Sequence, residues 1–491
     1  MTKRIARIFA IMSLIAVLGS CENFIDKLPE DTLAPGSYFN NKEELLTGVS
    51  GCYKVLQSIY QHDRMIRTVA YMGSTAKTIT LSNVFRRFEK SVSDSEANIY
   101  RDNFLMISRC NSMLKILGNF TTDVASEKRE VEAMMGECHF LRGLAYFNLV
   151  RLYGELPLVI EEFASPMDAF GNGRSSVDDI YSKAIIPDFT KAAELCYKKG
   201  APELNGQGAR ATKGSGLMGL AKAYLTINKT QEAEDVLKRL IVDKEGGEYG
   251  LLPNMSDVFK PENKFNKESI FEVNYNVAAG QPSWFFTLLQ NDISYAIGMT
   301  RSSGVITTHS VLREFHEYGE INRFYATLDS GAVNGVPPIQ AFPVKMGPPR
   351  DKRAAITNIG SDYNFMVYRY ADALLMYGEA LMRNGKDGKP WINMVRQRSG
   401  MPKLEDDPKF TKLDIYWILH ERRMELVWEA HYYFDLVRTG KAVEILSDIL
   451  MRVIDYDNVP RSTPVPEYQL LLPIPTTEIE KDQSLVQNPG Y

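Results

Sequence analysis

Residues 212–241 read TKGSGLMGLAKAYLTINKTQEAEDVLKRLI, and this spacing predicts two helices folded back on each other. Leu217, Leu220, Ala221, Tyr224, Ala233 and Leu237 fall at offsets similar to those of a tetratricopeptide repeat. The small residues let two antiparallel helices approach closely, while Tyr224 and Leu237 fill the space beside them. One hairpin is a weak signal, but its neighbours strengthen it. Upstream, Glu127 to Leu152 keeps Val131, Met134, Met135, Cys138, Leu141, Leu144, Ala145, Leu149 and Leu152 near a 3.6-residue spacing, and Gly154 and Pro157 stop the helix. A partner helix is predicted from about Val177 to Tyr197, bent at Pro187. Further back, helices are predicted at Lys42 to Tyr60 and at about Asn98 to Leu117. The fold class that follows is mainly α: a tetratricopeptide-like helical-hairpin solenoid. Length agrees, because a chain of 491 residues exceeds what one core of roughly 250–300 residues holds. It needs either several domains or an architecture that grows by stacking.

Between Glu248 and Ser361 the texture changes. Helix signals are short, glycine and proline are frequent, and no period persists, yet Tyr275, Trp284, Phe285, Phe286, Tyr295 and Tyr325 recur. That aromatic content argues against disorder, so residues 248–361 are expected to form an irregular, loop-rich insert that carries ligand specificity. Helices return at Tyr368 to Arg383, Lys389 to Arg398 and Thr411 to Val437. The last is apolar on nearly all sides and should be buried. Its embedded Glu421, Arg422, Arg423, Glu425 and Glu429 must then be paired. Trp391, Trp417 and Trp428 lie in these helical patterns and read as core. Gly440 is a natural terminator, and Thr477 and Glu480 have capping-box spacing for a last short helix.

The amino terminus has the layout of a secretory signal. Lys3, Arg4 and Arg7 precede an apolar run from Ile8 to Leu18, followed by Leu18-Gly19-Ser20-Cys21. The run is too short to span a bilayer, which takes about 20 residues. The expected organisation is a signal peptide at 1–20, a tether at 21–40, a tetratricopeptide-like region at 41–247, the insert at 248–361 and a C-terminal helical region at 362–491. With 57 basic and 61 acidic residues and no basic block, nucleic acid is not an expected partner. Cys52, Cys110, Cys138 and Cys196 are scattered without metal-like spacing and read as buried small hydrophobes.

Catalytic and metal chemistry finds little support. His420-Glu421 fails H-E-x-x-H because Met424 stands where the second histidine belongs. His431, 11 residues on, would lie about 16 Å away along a continuous helix. Glu421, Glu425, Glu429 and Asp435 alternate with Arg422, Arg423 and Arg438, so structural ion pairs are expected rather than a hydrolytic pair. No catalytic residue, metal ligand or cofactor is assigned.

Several stretches together resemble one family. They are Gly136-Glu137-Cys138-His139-Phe140-Leu141-Arg142-Gly143, Leu152-Tyr153-Gly154-Glu155-Leu156-Pro157, Tyr368-Arg369-Tyr370-Ala371-Asp372, and Asn393-Met394-Val395-Arg396-Gln397-Arg398-Ser399-Gly400. His420-Glu421-Arg422-Arg423-Met424-Glu425-Leu426, Phe434-Asp435-Leu436-Val437-Arg438-Thr439-Gly440, Leu472-Pro473-Ile474-Pro475 and Gln487-Asn488-Pro489-Gly490-Tyr491 complete the set. The chain is similar to the SusD/RagB family of outer-membrane nutrient-binding lipoproteins. The resemblance implies lipidation at Cys21, whose surroundings look like a lipobox, and a lipid-anchored, surface-exposed place on the cell outer membrane. It also implies a TonB-dependent SusC-like β-barrel transporter as partner, a glycan or peptide as ligand, and no catalysis.

Aromatic faces stack on the apolar faces of sugars while amides and guanidinium groups bond their hydroxyls. Trp284, in Gln281-Pro282-Ser283-Trp284, is the leading ligand-binding candidate, with core packing as its competing role. Tyr71, Tyr275, Asn276, Tyr295 and Arg301 are the others. Two alternative functions remain: a tetratricopeptide scaffold lipoprotein in membrane assembly, and an extracellular glycan hydrolase.

Overall fold

The computed structural model describes residues 39–78, 94–163, 165–285, 305–329, 341–345, 347, 360–452 and 463–491. Helices run in the order α1 (Lys42–Ile59), α2 (Arg67–Met72), α3 (Asp94–Asn119), α4 (Ala125–Tyr153), α5 (Ile186–Leu195), α6 (Lys213–Thr226) and α7 (Thr230–Ile241). After these come α8 (His309–Tyr318), α9 (Ile321–Thr327), α10 (Tyr370–Arg383), α11 (Lys389–Arg398), α12 (Ile415–Leu426), α13 (Tyr432–Arg438), α14 (Ala442–Met451) and α15 (Thr476–Lys481). Residues 49–491 make one compact unit.

α3 packs on α4, α4 on α5, α5 on α6 and α6 on α7, then α7 on α10 and α10 on α11. Each helix meets its sequence neighbour until the insert intervenes, which is the stacking of a solenoid. Small residues set the spacing, as the 212–241 pattern predicts. A Cβ on Gly216 of α6 would lie 2.4 Å from the Ala193 nitrogen of α5, and one on Gly219 would lie 2.6 Å from the Phe189 ring. Before Pro187, a π-type turn at Tyr181–Ile185 separates the helical turn Val177–Ile180 from α5. The expected bend is therefore a change of helical winding at the residue whose proline ring removes an N–H. Cys52, Cys110, Cys138 and Cys196 are all buried.

The insert holds more helix than its sequence suggests, in α8 and α9. Antiparallel two-stranded ladders also form: β1 (Ala76–Thr78) with β3 (Val305–Thr307), β2 (Ser269–Val273) with β6 (Phe365–Arg369), and β4 (Leu328–Asp329) with β5 (Phe342–Pro343). Tyr368 and Arg369, expected to open a helix, instead end β6. The terminal motif straps the solenoid: Asn488 Nδ2 donates to the carbonyls of Tyr153 (2.9 Å) and Leu472 (2.7 Å). α15 is present, but its first residue follows Pro475 and no side chain caps it, so the capping-box expectation fails.

The predicted helix over 411–437 is also corrected, because it breaks into α12 and α13. Trp428 (φ 68°) and Ala430 (φ 59°) adopt left-handed backbone there. Tertiary contacts hold this costly geometry. The buried Trp428 donates its indole N–H to Thr307 Oγ1 (3.0 Å), and Glu429 binds Lys345 (2.6 Å) and Arg369 (2.6 Å). The embedded charges of α12 are paired, as expected. Arg323 meets Glu320 (3.1 Å), Glu421 (3.0 Å) and Glu425 (3.1 Å), and Arg369 meets Glu268 and Glu425 (both 2.8 Å). Arg422 reaches Asp372 and Asp435, and Arg423 reaches Glu314.

Burial alone would lower His420, but its hydrogen bond to Glu314 (2.7 Å) and the Glu320 carboxylate 3.7 Å away reverse this and hold it at about 9. A pKa raised on folding adds stability that is complete below about 6.5 and is lost as pH rises towards 9. Lys222 and Lys345, which burial lowers to about 8, change in the opposite sense above that pH. The clean window is therefore pH 6.5–8, where the His420 contribution should fall by about 2 kcal/mol. Urea midpoints of wild type and His420→Gln across this window should converge; parallel profiles would contradict the assignment.

Candidate functional site

A short hairpin carries the leading aromatic candidate. Asn276 and Gln281 exchange backbone hydrogen bonds (2.7 and 2.8 Å), and Gly280, at φ 68°, makes the turn between them. The hairpin is fixed from below by α1 and the residues after it. Gln57 Nε2 donates to the Asn274 carbonyl (2.8 Å) and to Gln281 Oε1 (2.9 Å). Gln61 Nε2 donates to the Pro282 carbonyl (3.3 Å), and Gln61 Oε1 accepts from the Trp284 backbone N–H (3.2 Å). On the other side Ser283 pairs with Ser361, and the Val277 N–H donates to Asp362 Oδ1 (2.7 Å). Trp284 is half-buried between the buried Ser283 and Phe285, so its indole stands on a backbone held from two directions.

The other candidates do not all join it. Tyr275 is wholly buried, edge-on to Phe285 at 5.5 Å, and donates its hydroxyl to the Gln57 carbonyl (3.1 Å). Burial holds that phenol well above its usual pKa, so it stays a donor. Tyr71 is buried within α2. Both expectations of an open ring face are therefore corrected: these rings build the core. Asn276 is exposed on the hairpin opposite Gln281, with its Oδ1 accepting from the Ala279 N–H (3.1 Å). Tyr295, Arg301 and Cys21 lie outside the described residues. Among the tryptophans read as core, Trp428 is buried, while Trp391 and Trp417 are half-buried.

Sequence reading passed over Gln57 and Gln61. Nothing marks an amide on an amphipathic helix as the anchor of a loop more than 200 residues away. It also passed over a cleft of about 450 Å³ lined by Asn254, Ser256, Asn322, Tyr325 and Ser399. Tyr325 is 68% exposed there, which gives a second open aromatic face.

One group of potential metal ligands stands out: Glu320, His420 and Glu421, whose ligand atoms lie within 4.8 Å of one another. Arg323 and Arg396 each bind a Glu421 oxygen, and Glu320 binds Arg323. With His420 cationic as well, guanidinium and imidazolium groups stand where a metal cation would, and the donor set fits an ion-pair network. The premise that His420 and His431 share one helix falls with the break at 427–431, since they lie on separate elements.

Comparison with known proteins agrees with this architecture. A family model described as "SusD family" matches residues 314–491, and one described as "Starch-binding associating with outer membrane" matches residues 23–225. "SusD-like protein P25" of Formosa agariphila is 25% identical, over 99% of this chain and 100% of that protein. A solved "Laminarin binding SusD-like protein" superposes with a TM-score of 0.74 at 26% identity, covering 92% of this chain and 100% of that one. Surface glycan-binding protein A from Bacteroides thetaiotaomicron, solved with laminarihexaose, shares the fold with a TM-score of 0.72 at 19% identity, over 91% of this chain and 99% of that one. Motifs spread along the sequence, two family models and a fold shared over nine-tenths of the chain agree: this chain belongs to the SusD/RagB family.

Proposed function

We propose that this chain captures a glycan at the outer-membrane surface and passes it to a TonB-dependent β-barrel transporter. The observation that carries the reading is the half-open indole of Trp284 on a hairpin locked by Gln57 and Gln61. A ring held rigid before the ligand arrives loses little entropy on binding it. Support comes from the laminarin-binding relative and from the outer-membrane description of the matched family. Anchoring is assigned to Cys21, where acyl chains contribute about 0.8 kcal/mol per buried methylene. The ion-paired state of Glu421, Glu425 and Glu429 favours capture over hydrolysis.

Affinity electrophoresis of the purified protein through gels containing laminarin, starch, xylan or mannan, beside titrations with peptide digests, tests this directly. Retardation by at least one polysaccharide is expected. Binding of peptides alone would move the ligand class, and binding of neither would sink the reading. Turnover of a retarding glycan would revive the hydrolase alternative; co-purification with an assembly machine instead of a transporter would revive the scaffold one. Cys21→Ala should release the protein from the membrane fraction, and continued sedimentation with outer membranes would refute lipid anchoring.

A further inference from the structure

Two small, half-open cavities share the walls Arg151, Lys222, His431 and Phe434, with Arg151 itself half-buried. They offer about 20 and 30 Å³ to water-sized occupants. One water needs roughly 10–15 Å³, so each space takes one or two small species and nothing larger.

The polar walls are Arg151, Lys222, His431, Thr226, Arg422, Arg438 and the carboxylate of Asp435 in the first cavity, and Arg151, Lys222, His431, Tyr60, Asn148, Tyr368 and the carboxylate of Glu429 in the second. Arg151 of α4 gives its Nε to the Phe147 carbonyl (2.8 Å) and Nη2 to Asn148 Oδ1 (3.2 Å), and lies between the rings of Phe147 (3.7 Å) and Phe434 (3.8 Å). Among the described residues no carboxylate pairs with it. Lys222 of α6 has Asp372 (2.6 Å), which it shares with Arg422 (2.8 Å). Arg438 takes Glu379 and Asp435, and Arg422 and Arg383 also claim one of these each. Around the cavities Arg151, Lys222, Arg422 and Arg438 thus face three carboxylates, Asp372, Asp435 and Glu379, none of which pairs with Arg151. Glu429, on the wall of the second cavity, is taken by Lys345 and Arg369. Two further wall atoms, the Tyr368 hydroxyl and His431 Nε2, are buried without a hydrogen-bond partner, although Asp372 Oδ2 lies 3.8 Å from His431 Nε2. Burial pulls Lys222 down to about 8 and Arg151 below its usual value, as expected where counter-charge is short.

We infer that a chloride-sized monatomic anion occupies the space between Arg151 and Lys222. A water molecule there would leave the excess positive charge uncompensated, and a carboxylate or phosphate ligand would not fit. The anion accepts from donors on α4, α6 and β6, and so ties the solenoid to the C-terminal signature. This inference does not depend on the glycan reading.

Crystals of the purified protein soaked in sodium bromide should show an anomalous peak within hydrogen-bond distance of Arg151 and Lys222. Melting should occur a few degrees higher in sodium chloride than in sodium gluconate at equal ionic strength, and Arg151→Met should erase that difference. Lys222→Met, which removes a different donor, repeats the test if Arg151→Met does not fold. Absence of the peak, or equal melting of the wild type in both salts, overturns the inference. A peak without chloride-specific stabilisation marks an adventitious ion only and overturns it as well.

Discussion

Glu425→Ala should lower the free energy of unfolding by about 3–5 kcal/mol, the range for breaking a buried pair from one side. Glu425 is wholly buried and meets Arg323 (3.1 Å), Arg369 (2.8 Å) and Arg398. Burial would raise its pKa, but Arg398, Arg369, Arg323 and Lys345 hold it far below the usual carboxylate range, so it is ionised. Removing it leaves three guanidinium groups sharing the remaining carboxylates in a space with little access to water. Lys244→Ala, which deletes an exposed pair with Glu248, should change stability by less than about 0.5 kcal/mol. Urea unfolding of both variants makes the comparison. A loss under about 1 kcal/mol for Glu425→Ala would mean that the network relaxes or admits water.

Gly216→Ala should cost about 3 kcal/mol, the upper end for overpacking, although it adds a single methyl group. The new Cβ would lie 2.4 Å from the Ala193 nitrogen and 2.8 Å from the Ala192 carbonyl carbon. Both are backbone atoms of α5, so no rotamer change relieves the contact and the two helices must separate. Gly51→Ala in α1 is the control, because nothing lies within 4 Å of the added Cβ. It should stabilise by about 0.4–1 kcal/mol through helix propensity and lost chain entropy. Equal effects of the two substitutions in thermal unfolding would show that close packing of α5 and α6 does not set the solenoid spacing.

The same glycine shows why the solenoid was legible. Gly216 and Gly219 belong to a pattern of small and apolar residues whose spacing is set by local helix geometry, and α4, α6 and α7 appear where periodicity places them. The break at 427–431 was not legible. A segment apolar on every side carries no phase, and what bends the chain there is Thr307 and Lys345, each more than 80 residues away. The site divides in the same way. Trp284 follows a turn closed by Gly280 and a Pro282 that local chemistry marks as a loop. Tyr275 looks identical in sequence whether it faces in or out, and it is the Gln57 carbonyl and Asn364 that draw it inward.

Calorimetric titration of the polysaccharide that retards the protein into wild type and Trp284→Ala, with unfolding curves confirming that both are folded, tests the central claim most directly. Wild type should bind, and the affinity of the variant should be about tenfold lower, the loss expected of one aromatic contact worth about 1.5 kcal/mol. Unchanged binding by a folded Trp284→Ala would contradict it and move the ligand away from the hairpin.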